Sequence, residues 1–276
     1  MKSTGTSKNQ ENGASMPGCP NCVNGWVLFQ RPANKVLVNG KPIYGEKAEG
    51  MIEFAEPCPY CNNGRVWAQT VIKQANIPAA FYDATMDSFD WNAYGVDTSM
   101  QKKIAESFVL DFKTQWKPRG MGLYIWSRTK GSGKTFLASA ICNSLVSGFR
   151  VHPKMVNVSN LIDISQKDEE QMNQIIDADV LVIDDIGQKE AGIKWVTDIL
   201  NRILDARIQR KAVTIATSNY SMDELDLDDR LIDRINRMMQ AVRLPEFSVR
   251  TRDAKAEKQA MLEELGIVPP SQMAFV

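Results

Sequence analysis

Gly122-Leu-Tyr-Ile-Trp126-Ser127-Arg-Thr-Lys-Gly131-Ser132-Gly133-Lys134-Thr135-Phe136 is the stretch that decides the fold. An apolar run short enough for a buried strand leads into a glycine-bearing loop, and an apolar, alanine-rich helical stretch follows. That order, strand then loop then helix, is the setting a phosphate-binding P-loop requires. Gly131 and Gly133 carry no Cβ, so backbone N–H groups can approach a phosphate closely. The following helix N-terminus adds its partial positive charge. Lys134 is expected to reach the β- and γ-phosphates, and the Thr135 hydroxyl to hold Mg²⁺. The expected nucleotide-binding set is Thr129, Lys130, Gly131, Ser132, Gly133, Lys134, Thr135 and Phe136. One position departs from the motif: its first glycine is Arg128 here.

Two further strands supply polar ends. Val180-Leu-Val-Ile183 runs into Asp184 and Asp185. A buried parallel strand delivers such acids at its C-terminal edge, where ligands bind in sheets of this kind. Asp184 is expected to support Mg²⁺, and Asp185 to orient or deprotonate an attacking water. Val213-Thr-Ile-Ala-Thr217 ends in Ser218-Asn219, which places Asn219 near a γ-phosphate or the water. Strands are expected over 122–126, 155–158, 180–183, 213–217 and 241–244, and helices over 134–147 and 193–209. Short apolar strands alternating with amphipathic helices imply an α/β fold, a parallel sheet sandwiched by helices. Ile104, Phe108, Phe112 and Trp116 recur every fourth residue and predict a helix over 100–116.

The composition narrows the function classes. The chain has 276 residues, 43% of them hydrophobic, with 33 Lys+Arg against 33 Asp+Glu. A formal charge of zero argues against coating DNA by bulk charge. No apolar run reaches the roughly 18–20 residues of a membrane helix. Residues 1–16, rich in Ser, Asn and Gly, have no apolar signal core and read as a disordered tail. The protein is expected to be cytoplasmic.

Four of the five cysteines form two pairs, Cys19-Pro-Asn-Cys22 and Cys58-Pro-Tyr-Cys61, each followed by glycine three residues later. Two such turns can present four thiolates to one zinc ion in tetrahedral geometry. A redox pair or an iron site are the alternatives, but a redox pair would not need a twin. Between the pairs, Asn39-Gly40 separates two short apolar segments and reads as a hairpin turn; residues 51–54 could add a strand. Residues 17–66 are therefore expected to form a small zinc-ribbon-like module, followed by a linker over 67–99. Cys142 sits in an apolar helix and reads as a buried hydrophobe.

Together, residues 130–135, 181–187, Thr217-Ser218-Asn219-Tyr220 and Asp229-Arg230-Leu-Ile-Asp-Arg234-Ile235 resemble the AAA+ ATPases. Within them the chain is similar to the DnaC/DnaI-type replicative helicase loaders and to the related IstB transposition helper. The resemblance implies that Asn219 is the sensor-1 residue and that an arginine finger lies in 229–235, Arg234 being favoured over Arg230. It also implies a sensor-2 role for Arg250 and a core without a full lid domain. The ATPase domain is expected over 100–258 and a C-terminal tail over 259–276. The cofactors implied are ATP, magnesium and zinc. The partners implied are a DnaB-type hexameric helicase, single-stranded DNA and, with ATP, further copies of the chain. An IstB-like helper of a transposase is the alternative. A small-molecule kinase would need a substrate-binding insertion that the sequence has no room for.

Overall fold

The computed structural model describes residues 26–32, 37–38, 41–42, 51–57, 63–187 and 194–265. The four paired cysteines, residues 1–16 and residues 266–276 lie outside the described residues.

Near the N-terminus, β1 (Trp26–Pro32) pairs antiparallel with β4 (Met51–Pro57), Trp26 opposite Pro57 and Pro32 opposite Met51. Between them, β2 (Leu37–Val38) and β3 (Lys41–Pro42) form the hairpin expected around Asn39-Gly40. Helix α1 (Asn63–Gln74) follows, then a short 3₁₀ turn at Ala79–Phe81 and another at Trp91–Tyr94.

Helix α2 (Ser99–Leu110) gives way to a π-turn at Phe112–Trp116 and a single turn of helix, α3 (Lys117–Arg119). The helix expected over 100–116 is thus broken after Leu110. Its apolar face survives the change, with the Phe108 ring 5.0 Å from Trp116 and 5.8 Å from Phe112. Then come β5 (Gly122–Trp126), α4 (Lys134–Phe149), β6 (Pro153–Asn157), α5 (Val158–Lys167), α6 (Glu169–Asp177) and β7 (Val180–Ile186). The chain continues through α7 (Lys194–Gln209), β8 (Val213–Ser218), α8 (Asp229–Met238), β9 (Met239–Arg243) and α9 (Val249–Glu264).

The strands β5 to β9 form one parallel sheet in the order β6-β7-β8-β5-β9. Side chains alternate across it, as the two-residue strand period demands. Leu123, Ile125, Val180, Val182 and Ile215 face a layer containing α1, α2 and α4. Tyr124, Leu181, Ile183 and Ala216 face the layer of α5, α6, α7 and α8. The inner strands β5, β7 and β8 are buried on both faces because both are covered, whereas the edge strand β9 exposes Gln240, Ala241 and Arg243.

Residues 67–99, expected to be a linker, are part of this core. Ala68, Val71, Ile72, Ala75, Ile77, Phe89, Trp91 and Tyr94 are all buried in the first layer. Asn143 of α4 holds the strap down: its Nδ2 donates to the carbonyls of Phe81, Tyr82 and Ala84 at 2.9–3.2 Å. The C-terminal helix also passes the expected boundary at 258, ending at Glu264.

The second layer contains a fully buried guanidinium, Arg207 of α7. Its Nη1 donates to the carbonyls of Ile176 and Ala178 at the end of α6 (2.8 and 2.9 Å). Nε reaches Thr214 Oγ1 at 2.9 Å and Nη2 reaches the Val213 carbonyl at 2.5 Å. The Ile176 and Ala178 carbonyls are of the kind a helix end leaves without partners, and the negative end of the helix dipole suits a cation. Burial lowers the Arg207 pKa to about 10, and the nearby Arg210 acts in the same direction.

Candidate nucleotide site

The loop between β5 and α4 lies at the C-terminal edge of the sheet. Gly131 and Gly133 both adopt positive φ, +78° and +92°, which disfavours any residue with a Cβ. Space adds a second constraint at Gly131. A Cβ there would stand 2.8 Å from Ser248 Oγ and 3.0 Å from Arg250 Cβ. Arg128, which replaces the motif's first glycine, is absent from the residues with positive φ. The backbone at that position therefore does not require glycine. The Arg128 side chain instead pairs with Glu224, drawing the Glu224 carboxyl down to about 2.

Lys134 is buried at the start of α4. Its Nζ donates to the carbonyls of Ser127 (3.3 Å) and Thr129 (3.1 Å) and to Ser132 Oγ (3.4 Å). These are long contacts for a charged donor. Burial lowers its pKa, opposed by the charges of Asp185 and Asp184. The loop is braced from the strap: Tyr94 OH donates to the Ser132 carbonyl at 2.6 Å. A Cβ on Gly133 would meet Phe89 Cε2 at 3.2 Å and the Tyr94 hydroxyl at 3.3 Å.

The two acids end β7 as expected, but not as an even strand. Ile183 pairs with Ala216 and Ile186 with Ser218, so Asp184 and Asp185 together stand opposite Thr217. This is a bulge, which re-aims side chains. Asp185 takes φ +60°, rare for a residue with a side chain. Thr135 Oγ1 donates to Asp184 Oδ1 at 3.0 Å, and Thr217 Oγ1 donates to the same oxygen at 2.7 Å. The Asp185 amide donates to Thr217 Oγ1 at 2.9 Å. Burial raises the Asp184 pKa, and the two hydroxyls work against it. Among the described residues Asp184 has no ion pair. A carboxylate held only by hydroxyls, beside a threonine oxygen, is an all-oxygen donor set that fits a hard divalent cation.

A cavity of about 730 Å³ opens in front of the loop. Lys130, Gly131, Ser132, Gly133, Lys134, Thr135 and Phe136 line it on one side, with Asp185, Asn219 and Arg250. Seven of the eight expected nucleotide-binding residues thus share one space. The eighth, Thr129, stands back from it and donates to Glu246 at 3.1 Å. The Arg250 amide donates to the Gly131 carbonyl at 3.2 Å. The far wall comes from Phe81, Phe89 and Asp90 of the strap and from Val249, Arg252 and Ala254 of α9. The sequence reading missed this wall, although the aromatic density of 81–94 marks the segment as core material.

Arg234 lies elsewhere. On α8 it is clamped by both oxygens of Asp205, with Nη2 to Oδ2 at 2.8 Å, while Nη1 donates to Asn201 Oδ1 at 2.9 Å. It shares a groove with Arg230, Asp229, Asp233 and Arg237, apart from the nucleotide cavity. Among the described residues, no group of three or more His, Cys, Asp or Glu side chains forms a metal cluster. Among the described residues, no helix is long and apolar enough to cross a membrane.

A glycine-turned loop with a buried lysine, facing two acids on the next-but-one strand of a parallel sheet, defines a P-loop nucleotide-binding protein. Residues 126–243 match the family described as "ATPase family associated with various cellular activities (AAA)". The chain is 31% identical over 216 residues to the replicative helicase loader DnaI of Bacillus subtilis, covering 74% of this chain and 63% of that protein. It is 34% identical over 125 residues to the replicative helicase loader DnaC of Escherichia coli, covering 41% of this chain and 49% of that one. The chain thus spans less than two thirds of either relative's length. A solved structure of DnaI aligns with 63% of this chain and 94% of its own, at 25% identity and a TM-score of 0.54. The chain is thus similar to the AAA+ ATPases of the DnaC/DnaI type.

Proposed function

We propose that this protein is an ATPase that loads a DnaB-type replicative helicase onto single-stranded DNA. The observation that carries the reading is the similarity to a protein named replicative helicase loader DnaI. It runs over 216 residues, well beyond the ATPase core at 126–243.

At the site, backbone N–H groups of residues 131–135 would cradle the phosphates and Lys134 would exchange its loop carbonyls for phosphate oxygens. Thr135 and Asp184 would hold Mg²⁺, which neutralises charge on the β- and γ-phosphates when bound. Asp185 would take or orient the proton of the attacking water, with Asn219 beside it. Arg250, whose amide donates to the Gly131 carbonyl, would follow the state of the loop as a sensor-2 residue. Arg234 would act in trans on a neighbouring copy's nucleotide. Its distance from the cavity of its own chain suits that role. The N-terminal module, with zinc held by Cys19, Cys22, Cys58 and Cys61, would grip the helicase.

The test is light scattering after size-exclusion chromatography of the full chain mixed with the replicative helicase of its source and ATP·Mg²⁺. A complex lost on Cys58→Ser, and weakened by Lys134→Ala, is expected. Mixing Lys134→Ala with Arg234→Ala chains is expected to recover hydrolysis that neither shows alone. No complex under any nucleotide condition would overturn the loader reading in favour of a transposase helper.

A further inference from the structure

We propose that Thr217 is a positioning residue for both acids of the nucleotide site; the inference rests on the ATP·Mg²⁺ reading above. Thr217 is fully buried in β8 and lies opposite the two-residue bulge that carries Asp184 and Asp185. A bulge leaves part of the ladder unpaired. Here the missing strand-to-strand bond is replaced by one side-chain oxygen. That oxygen accepts the Asp185 amide N–H at 2.9 Å and donates to Asp184 Oδ1 at 2.7 Å.

The direction of both bonds is fixed. An amide N–H can only donate, so it occupies an acceptor site on the hydroxyl. The single hydroxyl proton is then free for the carboxylate. Asp184 Oδ1 is therefore held in place as the acceptor of that proton. Thr135 donates to the same carboxylate oxygen at 3.0 Å. When Thr135 turns toward a metal, Thr217 remains as the donor that keeps Asp184 in place. The other bond steadies Asp185 at φ +60°, a conformation that needs outside support in a residue with a side chain. A strand position otherwise asks only for a β-branched shape, which valine would meet equally well. The hydroxyl is the part of Thr217 that acts on the site.

The experiment compares Thr217→Val and Thr217→Ser in the full chain. Binding of a fluorescent ATP analogue is measured without divalent cation and across a Mg²⁺ titration; steady-state hydrolysis and melting temperature are measured alongside. For Thr217→Val we expect metal-free affinity within about twofold of wild type. The tightening produced by Mg²⁺ should fall about tenfold or more, and kcat by about 10- to 100-fold, the range for removing a group that orients a metal ligand. Thr217→Ser should restore both to within about threefold. If Thr217→Val does not fold, Thr217→Cys, a weak donor of similar size, takes its place with the same direction of change. The proposal is overturned if the valine variant keeps its Mg²⁺ response and turnover, or if valine and serine lose them equally. If the wild-type chain itself shows no Mg²⁺-dependent nucleotide binding, the ATP reading falls, and the Thr217 proposal falls with it.

Discussion

Lys134 in the phosphate loop and Arg207 in the corner between α6 and α7 are both buried cations, and they are held in opposite ways. Arg207 uses all three guanidinium nitrogens on neutral oxygens, with four contacts at 2.5–2.9 Å. Lys134 makes three contacts, none shorter than 3.1 Å, to groups of the loop it belongs to. A tight, complete set of partners means the charge is part of the scaffold. A loose set means the partners are placeholders, readily exchanged for stronger acceptors. Burial alone does not separate the two cases; the quality of the hydrogen bonds does.

Three substitutions bear on that contrast. Arg207→Leu should have the largest effect, because it strands several buried carbonyls at once. A loss of about 4 kcal/mol or more is expected, measurable as a fall in melting temperature of about 10 °C. A near-neutral result would remove Arg207 from the scaffold class. Lys134→Met should show the reverse pattern. Stability is expected to stay within about 1 kcal/mol, since a costly buried charge is removed. ATP affinity should drop by about 2 kcal/mol, or roughly 30-fold, as charged hydrogen bonds to phosphate are lost. Calorimetric titration read beside thermal melting separates these effects. A large loss of stability with Lys134→Met would erase the contrast. The smallest change is expected for Tyr94→Phe, which deletes one neutral bond to the Ser132 carbonyl. About 1 kcal/mol is expected, seen in melting and in a modest weakening of nucleotide binding. No change in either would show that the loop does not depend on the strap.

The parallel sheet was legible in the sequence because each strand is a short run of apolar residues with loops of distinct chemistry between them. The expected 122–126 matches β5, and the strands expected over 180–183 and 213–217 fall within β7 and β8. The phosphate loop was legible for the same reason: backbone approach needs glycine, and a helix must follow. Other parts left weaker marks. α6 is capped by Asp168, whose side chain accepts from Gln171, and α8 by Asp228, which accepts from Leu231. Those short polar signals are easily passed over between apolar runs. The bulge at Asp184 and Asp185 has no signature of its own, because it is set by the register with β8. The Arg234 clamp joins α7 to α8 across 29 positions, a relation no local pattern encodes. The strap over 67–99 was misread because Pro78 and short polar stretches outweighed its aromatics.

That strap bears on how the protein can be taken apart. The polypeptide before Ser99 supplies Phe81, Phe89 and Asp90 to the ligand cavity and the Tyr94 brace to its floor. Its anchor, Asn143, belongs to the helix that begins with Lys134. A recombinant fragment starting near residue 100 would keep every signature motif and still lack one side of its binding chamber. Grafting this nucleotide-site core onto a foreign N-terminal module would meet the same obstacle unless the seam were moved upstream of α1. The region that reads as a spacer is the part that cannot be exchanged.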